Sequence, residues 1–179
     1  MEIGEVVVAF DRWLAEAGLS LEATVIGGAA LVMLGITSRF TNDVDVLQPV
    51  LPEEVMRAAQ GFSSSMRERG IILPRRWLNN GPRALMESMP EGWEAHQRVL
   101  FEGEALRLYT LSEEDLLRTK LLALCDRNED WADCLALGPS AAQLERAREW
   151  LLAQDEEPGW PARVEEVLTM LARRLGHGV

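Results

Sequence analysis

Hydrophobic and polar positions change their spacing several times in the first third of the chain. Spacings of three and four residues favour helix, and short apolar runs bounded by glycine or proline favour strand. The pattern predicts a helix over 3–17, a strand over 22–26, a short helix over 28–34 and a strand over 43–50. Helices and strands therefore alternate, which indicates an α/β core.

The middle of the chain has a more mixed pattern. Residues 52–70 are predicted to form a helix that breaks near Gly61. The apolar segment "IIL" at 71–73 is predicted as a short buried strand, and "WLNNG" at 77–81 as a turn. The segment "RVLFEGEALRLYTL" at 98–111 predicts two strands joined by a Glu-Gly-Glu turn.

From Ser112 onward the pattern is helical. Ser112 and Asp115 have the spacing of a capping box, Pro139-Ser140 starts another helix, and Pro161 is placed at the first position of the last one. The sequence thus predicts an α/β (α+β) core with a mixed sheet over residues 1–111. A helical C-terminal lobe over residues 112–179 is expected to pack on that core.

Composition narrows the class of protein. Of 179 residues 47% are apolar, and 18 Lys plus Arg stand against 29 Asp plus Glu, giving a net charge of −11. This balance disfavours non-specific binding to long nucleic acid, which usually needs a basic surface. No apolar run is long enough for a membrane span, and acidic residues stand where a signal peptide needs basic ones. We expect a cytoplasmic protein with no membrane partner.

The two cysteines are predicted to be structural. Cys125 and Cys134 lie nine residues apart on predicted helices, which fits neither a disulfide framework nor a zinc site. Buried, small apolar residues are the expected role for both.

Asp43 and Asp45 flank Val44 at the head of an otherwise apolar predicted strand. Alternate side chains of a strand share a face, so the two carboxylates should point the same way with Cβ atoms roughly 6.5–7 Å apart. Hard divalent cations bind carboxylate oxygens, and Mg²⁺ commonly uses one or two of them together with substrate phosphates. An exposed strand end whose acids face water is the alternative.

Gly27-Gly28 favours the metal interpretation, because it stands where the first strand gives way to a helix. Glycine lets a ligand approach the backbone closely. Arg39, Thr41 and Asn42, just before the acids, add donors for phosphate oxygens. A phosphate cradle and a metal clamp are therefore predicted on consecutive elements.

Other uses of an Asp-x-Asp pair fit less well. Phosphatases with an aspartyl nucleophile place the pair after an apolar strand, whereas here the apolar run follows it. Metal-dependent glycosyltransferases usually have longer chains and lack the preceding Gly-Gly. The G-x-G-x-x-G fingerprint of dinucleotide binding is missing.

Lys120 falls inside the apolar stripe of its predicted helix. An inward lysine needs an anionic partner, such as a triphosphate or a carboxylate; extension of the side chain to the surface is the alternative. Asp130 and Asp133 lie three residues apart on one face of the next helix. They either point toward the core or a cleft, carry ordinary surface charge, or pair with Lys120 or Arg127.

Together these residues resemble the nucleotidyltransferase superfamily related to DNA polymerase β, whose signature is Gly-Gly or Gly-Ser followed by Asp-x-Asp. Within it the chain is similar to small bacterial members near the AbiEii-type abortive-infection toxins and to an uncharacterised branch beside them. The strings that are similar to this uncharacterised branch are "VIGGAALVMLGI", "RFTNDVDVL", "RWLNNG", "LSEEDLLRTKLLAL" and "RNEDWADCLAL", all within residues 22–137.

The resemblance implies specific roles. Gly27 and Gly28 would hold a nucleoside triphosphate. Arg39 and Thr41 are predicted as further nucleotide-binding residues from their donor groups, independently of the resemblance. Asp43 and Asp45 would be catalytic ligands of Mg²⁺, with Mn²⁺ as the alternative.

Two positions of the helical half also match the superfamily. Lys120 would contact phosphate, and Asp130, ahead of Asp133, would be the downstream catalytic acid. Two departures stand out. Gly28 replaces a common serine, and the strand "ALRLYTL" offers Arg107 where polymerase-like members carry a third carboxylate.

The expected function is Mg²⁺-dependent transfer of a nucleoside monophosphate from an NTP to an acceptor hydroxyl. The resemblance suggests the toxin of a toxin–antitoxin pair that modifies RNA, such as tRNA, or a protein, with an antitoxin as partner. A degenerate nucleotide-binding or partner-binding module without catalysis is the competing hypothesis, which the missing strand carboxylate motivates.

Overall fold

The computed structural model describes residues 1–177. Two compact units divide the chain. The first comprises Met1–Glu87 and Glu94–Leu111, and the second comprises Ser88–Trp93 and the chain from Ser112 onward.

The first unit contains three helices and five strands. The helices are α1 Ile3–Glu16, α2 Gly27–Met33 and α3 Glu53–Glu68. The strands are β1 Leu21–Ile26, β2 Val44–Gln48, β3 Leu78–Asn79, β4 Arg98–Glu102 and β5 Leu106–Thr110. Two 3-10 segments follow β3, at Gly81–Ser88 and Trp93–His96.

The five strands form one mixed sheet in the order β3-β2-β1-β5-β4. β1 is parallel to β5 and antiparallel to β2, β2 is parallel to β3, and β4 is antiparallel to β5. This confirms the predicted mixed sheet flanked by helices. Because β1 and β2 are antiparallel neighbours, the end of β1 lies beside the start of β2, at one end of these strands.

α1, α3 and one face of the sheet share a hydrophobic core. Its centre is aromatic, with the rings of Phe10, Phe62 and Trp77 at centroid distances of 5.0–5.7 Å. Val44 and Val46 of β2 are buried in this core, whereas Asp45 between them is only half-buried. The alternation turns Asp45 away from the core.

The predicted break in the third helix near Gly61 is wrong. α3 is continuous from Glu53 to Glu68. Its buried face runs past the glycine without a shift, through Ala59, Phe62 and Met66. The burial of this face outweighs the small helix-weakening effect of one glycine.

The predicted strand at 71–73 is also wrong, and the turn at 77–81 is wrong in part. Ile72 is 84% exposed, and residues 71–74 lie outside the sheet. The edge strand is instead β3, paired in register with β2 at Val44↔Leu78 and Asp45↔Asn79. Anchoring by buried Trp77, whose indole N–H donates to Ala59 O at 3.1 Å, places Leu78 beside the sheet.

Up to residue 177, the second unit contains four helices. They are α4 Glu113–Arg127, α5 Trp131–Leu137, α6 Ala141–Leu152 and α7 Trp160–Arg174. As predicted, Ser112 caps α4 by accepting a hydrogen bond from Asp115 N, and Ser140 caps α6. Pro161 is the second residue of α7 instead of the first.

Cys125 and Cys134 are free and lie in the core of this helical unit, as expected. Burial raises the pKa of the Cys125 thiol to about 11 and that of Cys134 to about 12, which removes both as nucleophiles near neutral pH. None of the helices formed by residues 1–177 has the length and apolarity to cross a membrane.

Candidate active site

Gly27 brings the end of β1 against Asp45 of β2. The register pairs Ile26 with Asp45, and Gly27 follows with a φ of 77°. A Cβ at Gly27 would lie 2.8 Å from Asp45 Oδ2, closer than a carbon and a carboxylate oxygen can approach. Both the left-handed backbone and the close carboxylate therefore require glycine here.

Gly28 lies under the side chains of the loop that precedes β2. A Cβ at Gly28 would be 2.6 Å from Arg39 Nη2 and 3.5 Å from Thr41 Oγ1. The structure thus brings together Gly27, Gly28, Arg39 and Thr41, which were predicted as nucleotide-binding residues. The contacts combine bare backbone with a guanidinium and a hydroxyl, a donor set suited to phosphate oxygens.

Asp43 stands one residue before β2 and is exposed. Thr41 Oγ1 donates a hydrogen bond to Asp43 Oδ1 at 2.9 Å. Asp43 and Asp45 are two residues apart along extended chain, so their side chains leave the strand on the same side. The predicted metal pair therefore lies beside the predicted phosphate cradle, with Thr41 in contact with both.

Asn79 is a residue of this site that the sequence did not reveal. Its Nδ2 donates a hydrogen bond to Asp45 Oδ1 at 3.1 Å, and its Oδ1 accepts one from Gly81 N at 2.7 Å. The only signal was its place in "WLNNG", where a buried tryptophan and leucine precede it. The turn chemistry of Asn-Asn-Gly concealed the short strand.

β5 supplies no carboxylate to the site. It lies next to β1, with Thr24 opposite Tyr109 and Val25 opposite Thr110. Its sequence is Leu-Arg-Leu-Tyr-Thr, and the Arg107 guanidinium is ion-paired with Glu102 of β4. The third carboxylate that the resemblance leads us to expect is therefore missing from β5.

The donor chemistry of Asp43 and Asp45 fits a hard divalent cation. Among residues 1–177 no group of three or more His, Cys, Asp or Glu side chains gathers to form a complete metal cage. Two carboxylates without a third ligand suit Mg²⁺, because this ion commonly takes its other ligands from water and substrate phosphates. The pair would hold the ion only together with a phosphate-bearing ligand.

Lys120, Asp130 and Asp133 form a separate cluster in the helical unit. Lys120 is 5% exposed, and its Nζ lies 3.1 Å from Asp130 Oδ2 and 2.7 Å from Asp133 Oδ2. Its side chain therefore does not extend to the surface, and its anionic partners are the two helix acids. Asp130, with a φ of 68°, precedes α5 in a left-handed backbone conformation.

These contacts do not decide the catalytic roles expected of Lys120 and Asp130. The cluster belongs to the helical unit, whereas Gly27, Gly28, Asp43 and Asp45 belong to the sheet unit. A phosphate contact for Lys120 and an acid function for Asp130 stay predictions.

The mixed sheet, the glycines where β1 meets α2 and the Asp-x-Asp on β2 have the pattern of a nucleotidyltransferase. The chain belongs to a family described as nucleotidyltransferases of unknown function (DUF6036), which matches residues 7–138. The match includes every residue predicted for the site and begins within α1, earlier than the resemblance seen in the sequence. No curated protein and no solved structure matches the chain.

Proposed function

We propose that the protein transfers a nucleoside monophosphate from an NTP to an acceptor hydroxyl. The acceptor oxygen forms a bond to the α-phosphorus, and the bond from that phosphorus to the oxygen bridging the β-phosphate breaks. Pyrophosphate leaves with the electron pair, and the hydroxyl proton is released. The observation that carries the proposal is the close packing around the two glycines where β1 meets α2. Gly27 lies against Asp45, and Gly28 lies against Arg39 and Thr41.

The glycines, Arg39 and Thr41 would bind the triphosphate. Gly27 and Gly28 leave the backbone bare, so phosphate oxygens can approach main-chain N–H groups. Arg39 contributes a fixed positive charge and several donors, which balance part of the triphosphate charge. Thr41 would donate its hydroxyl to a phosphate oxygen in place of its hydrogen bond to Asp43.

Asp43 and Asp45 would hold Mg²⁺, or Mn²⁺ in its place. When bound, such an ion neutralises charge on the phosphates and stabilises the charge that develops during transfer. Asn79 keeps Asp45 oriented through its hydrogen bond to Oδ1. The exposed Asp43 and the half-buried Asp45 can both present oxygens to the same ligand.

The fate of the acceptor proton separates this protein from polymerase-like relatives. β5 offers Arg107 and no carboxylate, so the proposal assigns the proton to solvent. A positioned general base contributes about 10²–10⁴-fold to rate. Slow turnover is therefore expected.

For the acceptor we propose a hydroxyl on a protein or a short structured RNA, such as tRNA. The net charge of −11 disfavours long nucleic acid. The resemblance of the chain to small bacterial members near the AbiEii-type toxins is the ground for proposing a toxin role with an antitoxin partner. Growth arrest on expression, relieved by Asp43→Asn, would support that role, whereas harmless expression would count against it.

The decisive experiment follows label from α-labelled NTPs onto cellular acceptors. Each NTP is incubated with the protein, Mg²⁺ or Mn²⁺, and bacterial RNA and protein. Label should appear on a defined band and disappear in Asp43→Asn/Asp45→Asn. The matched control is Asp126→Asn, which alters an exposed helix acid bonded to Arg127 and should keep full transfer. Transfer that persists in the double variant would refute the proposal.

A second candidate is a module that binds NTP without turnover. The lack of a carboxylate on β5 favours it. Calorimetry would then show NTP–Mg²⁺ binding that depends on Asp43 and Asp45, with no labelled product in the transfer experiment.

A further inference from the structure

A cavity of about 290 Å³ opens beside the predicted phosphate site. Apolar groups supply most of its wall: Val6 of α1, Phe40 of the loop before β2, and Ile72 and Leu73 of the segment before β3. Thr41 and Asn42 complete one side. None of the side chains that line the cavity is charged, which favours a neutral group as its ligand.

The exposure of the wall is unusual for this chain. Among the large hydrophobic side chains of residues 1–177, the two most exposed are Ile72 at 84% and Phe40 at 68%, and both line this cavity. Exposed apolar groups that cluster around a concavity mark a binding site more often than isolated ones do. The volume lies near the lower end for small-molecule pockets, about 300 Å³.

Thr41 connects the cavity to the phosphate site. It lines the cavity, donates to Asp43 Oδ1 at 2.9 Å, and lies 3.5 Å from the Cβ position of Gly28. Phe40 and Asp43 are three residues apart, so their Cα atoms are at most about 11 Å from each other. One nucleotide is therefore long enough to reach from the phosphate site to Phe40.

We propose that this cavity binds the nucleobase of the NTP, with the Phe40 ring stacked on the base. This rests on the proposed function, because the triphosphate at Gly27-Gly28 fixes where the base can reach. A base has flat apolar faces and a polar edge. Phe40, Ile72 and Leu73 suit the faces, and the Asn42 amide suits the edge.

The proposal separates base binding from phosphate binding. Calorimetry would compare an NTP with inorganic tripolyphosphate, which has the same phosphates and no base, each with Mg²⁺. Phe40→Ala should weaken NTP binding about tenfold, the order of one lost base–aromatic stack, and leave tripolyphosphate binding unchanged. Phe40→Trp should retain NTP affinity. Val99→Ala, which trims a side chain 56% exposed on β4, should change neither ligand.

The outcomes distinguish the base site from the proposed function. Equal NTP affinity in the wild type and Phe40→Ala would overturn the base site alone, while transfer and its dependence on Asp43 could persist. Absence of binding by both the NTP and tripolyphosphate would overturn both. Conversion of a dimer to a monomer by Phe40→Ala, at unchanged NTP affinity, would assign the surface to a second copy of the chain and overturn the proposal.

Discussion

Asn79 orients Asp45 by a hydrogen bond from Nδ2 to Oδ1 at 3.1 Å. The amide cannot be reversed without loss, because its Oδ1 accepts the Gly81 N–H at 2.7 Å. The Gly81 N–H therefore fixes the orientation of the Asn79 amide, so that its Nδ2 faces Asp45 as a donor. Asn79 therefore holds the Asp45 side chain in place through its Nδ2. This nitrogen is a hydrogen-bond donor, so it does not compete with Asp45 for a cation.

Asn79→Ala should weaken Mg²⁺-dependent NTP binding about 10–100-fold, the usual effect of removing a group that orients a metal ligand. The measurement is a Mg²⁺ titration followed by calorimetry with NTP. Gln60→Ala is the control, because Gln60 lies on α3 and its amide oxygen accepts a hydrogen bond from the exposed Arg75 side chain, away from Asp45. Unchanged Mg²⁺ dependence in Asn79→Ala would show that Asp45 needs no such support.

Gly27→Ala should destabilise the protein and displace Asp45. The new Cβ would lie 2.8 Å from Asp45 Oδ2, and the alanine would have to keep the glycine's φ of 77°. Left-handed strain alone costs about 1–2 kcal/mol, and the clash adds to it. Thermal unfolding and the label-transfer assay measure the two effects.

Gly18→Ala separates strain from clash. Gly18 also has a left-handed φ, 65°, but no atom of the described residues lies within 4 Å of its Cβ position. It should lose a similar strain energy and keep full activity. If both variants lose the same stability and neither loses activity, the contact between Gly27 and Asp45 has no functional weight.

Asp11→Asn should lower stability near neutral pH by about 1–3 kcal/mol, since a buried carboxylate that accepts backbone N–H groups is lost. Asp11 is 8% exposed and accepts from Glu104 N, Ala105 N and Leu106 N at 2.8–3.2 Å. Urea unfolding at pH 7 gives the difference.

The loss in Asp11→Asn should shrink in acid. Burial raises the pKa of the Asp11 carboxyl. The hydrogen bonds from three backbone N–H groups lower this pKa by more, so it lies below the usual 3.8. A lowered folded-state pKa contributes stability above the unfolded pKa, and this contribution falls as the pH drops through about 3.8 and below. A difference that grows in acid would contradict this account.

Lys120→Met should cost about 3–5 kcal/mol, because it leaves the Asp130 and Asp133 carboxylates together in a buried setting without a cation. Lys120→Met/Asp133→Asn should recover part of that loss. Arg127→Met breaks an exposed pair with Glu129 and should cost under about 1 kcal/mol. Unfolding curves in urea rank the three, and equal losses for Lys120→Met and Arg127→Met would contradict the burial argument.

Local pattern was enough to predict the strongly periodic elements. α1, β1, α2, β2 and the β4–β5 hairpin lie within about two residues of the prediction, since each buries an apolar face that the sequence displays. Local pattern failed where contacts with residues far along the chain determine the secondary structure. Gly61 looks like a helix break until the core contacts of Phe62 and Met66 are known. Ile71 to Leu73 look like a strand, although no neighbouring strand pairs with them.

The site residues show the same difference between what local sequence pattern predicts and what distant contacts determine. Gly27, Gly28, Asp43 and Asp45 were visible because they follow one another on consecutive elements. Asn79 was not, because it reaches Asp45 through a register with β2 that no local pattern encodes. The sequence left the partner of Lys120 open between a ligand and a carboxylate. The helical unit alone provides two carboxylates.

Lys120 is also the only lysine in the chain, since the other cationic side chains are arginines. At 5% exposure its amine is shielded while α4 and α5 remain folded. An amine-reactive reagent would therefore modify this side chain only during local opening of the helical unit. The rate of that modification would report the opening equilibrium of a single cluster, without an engineered probe and without interference from any other lysine.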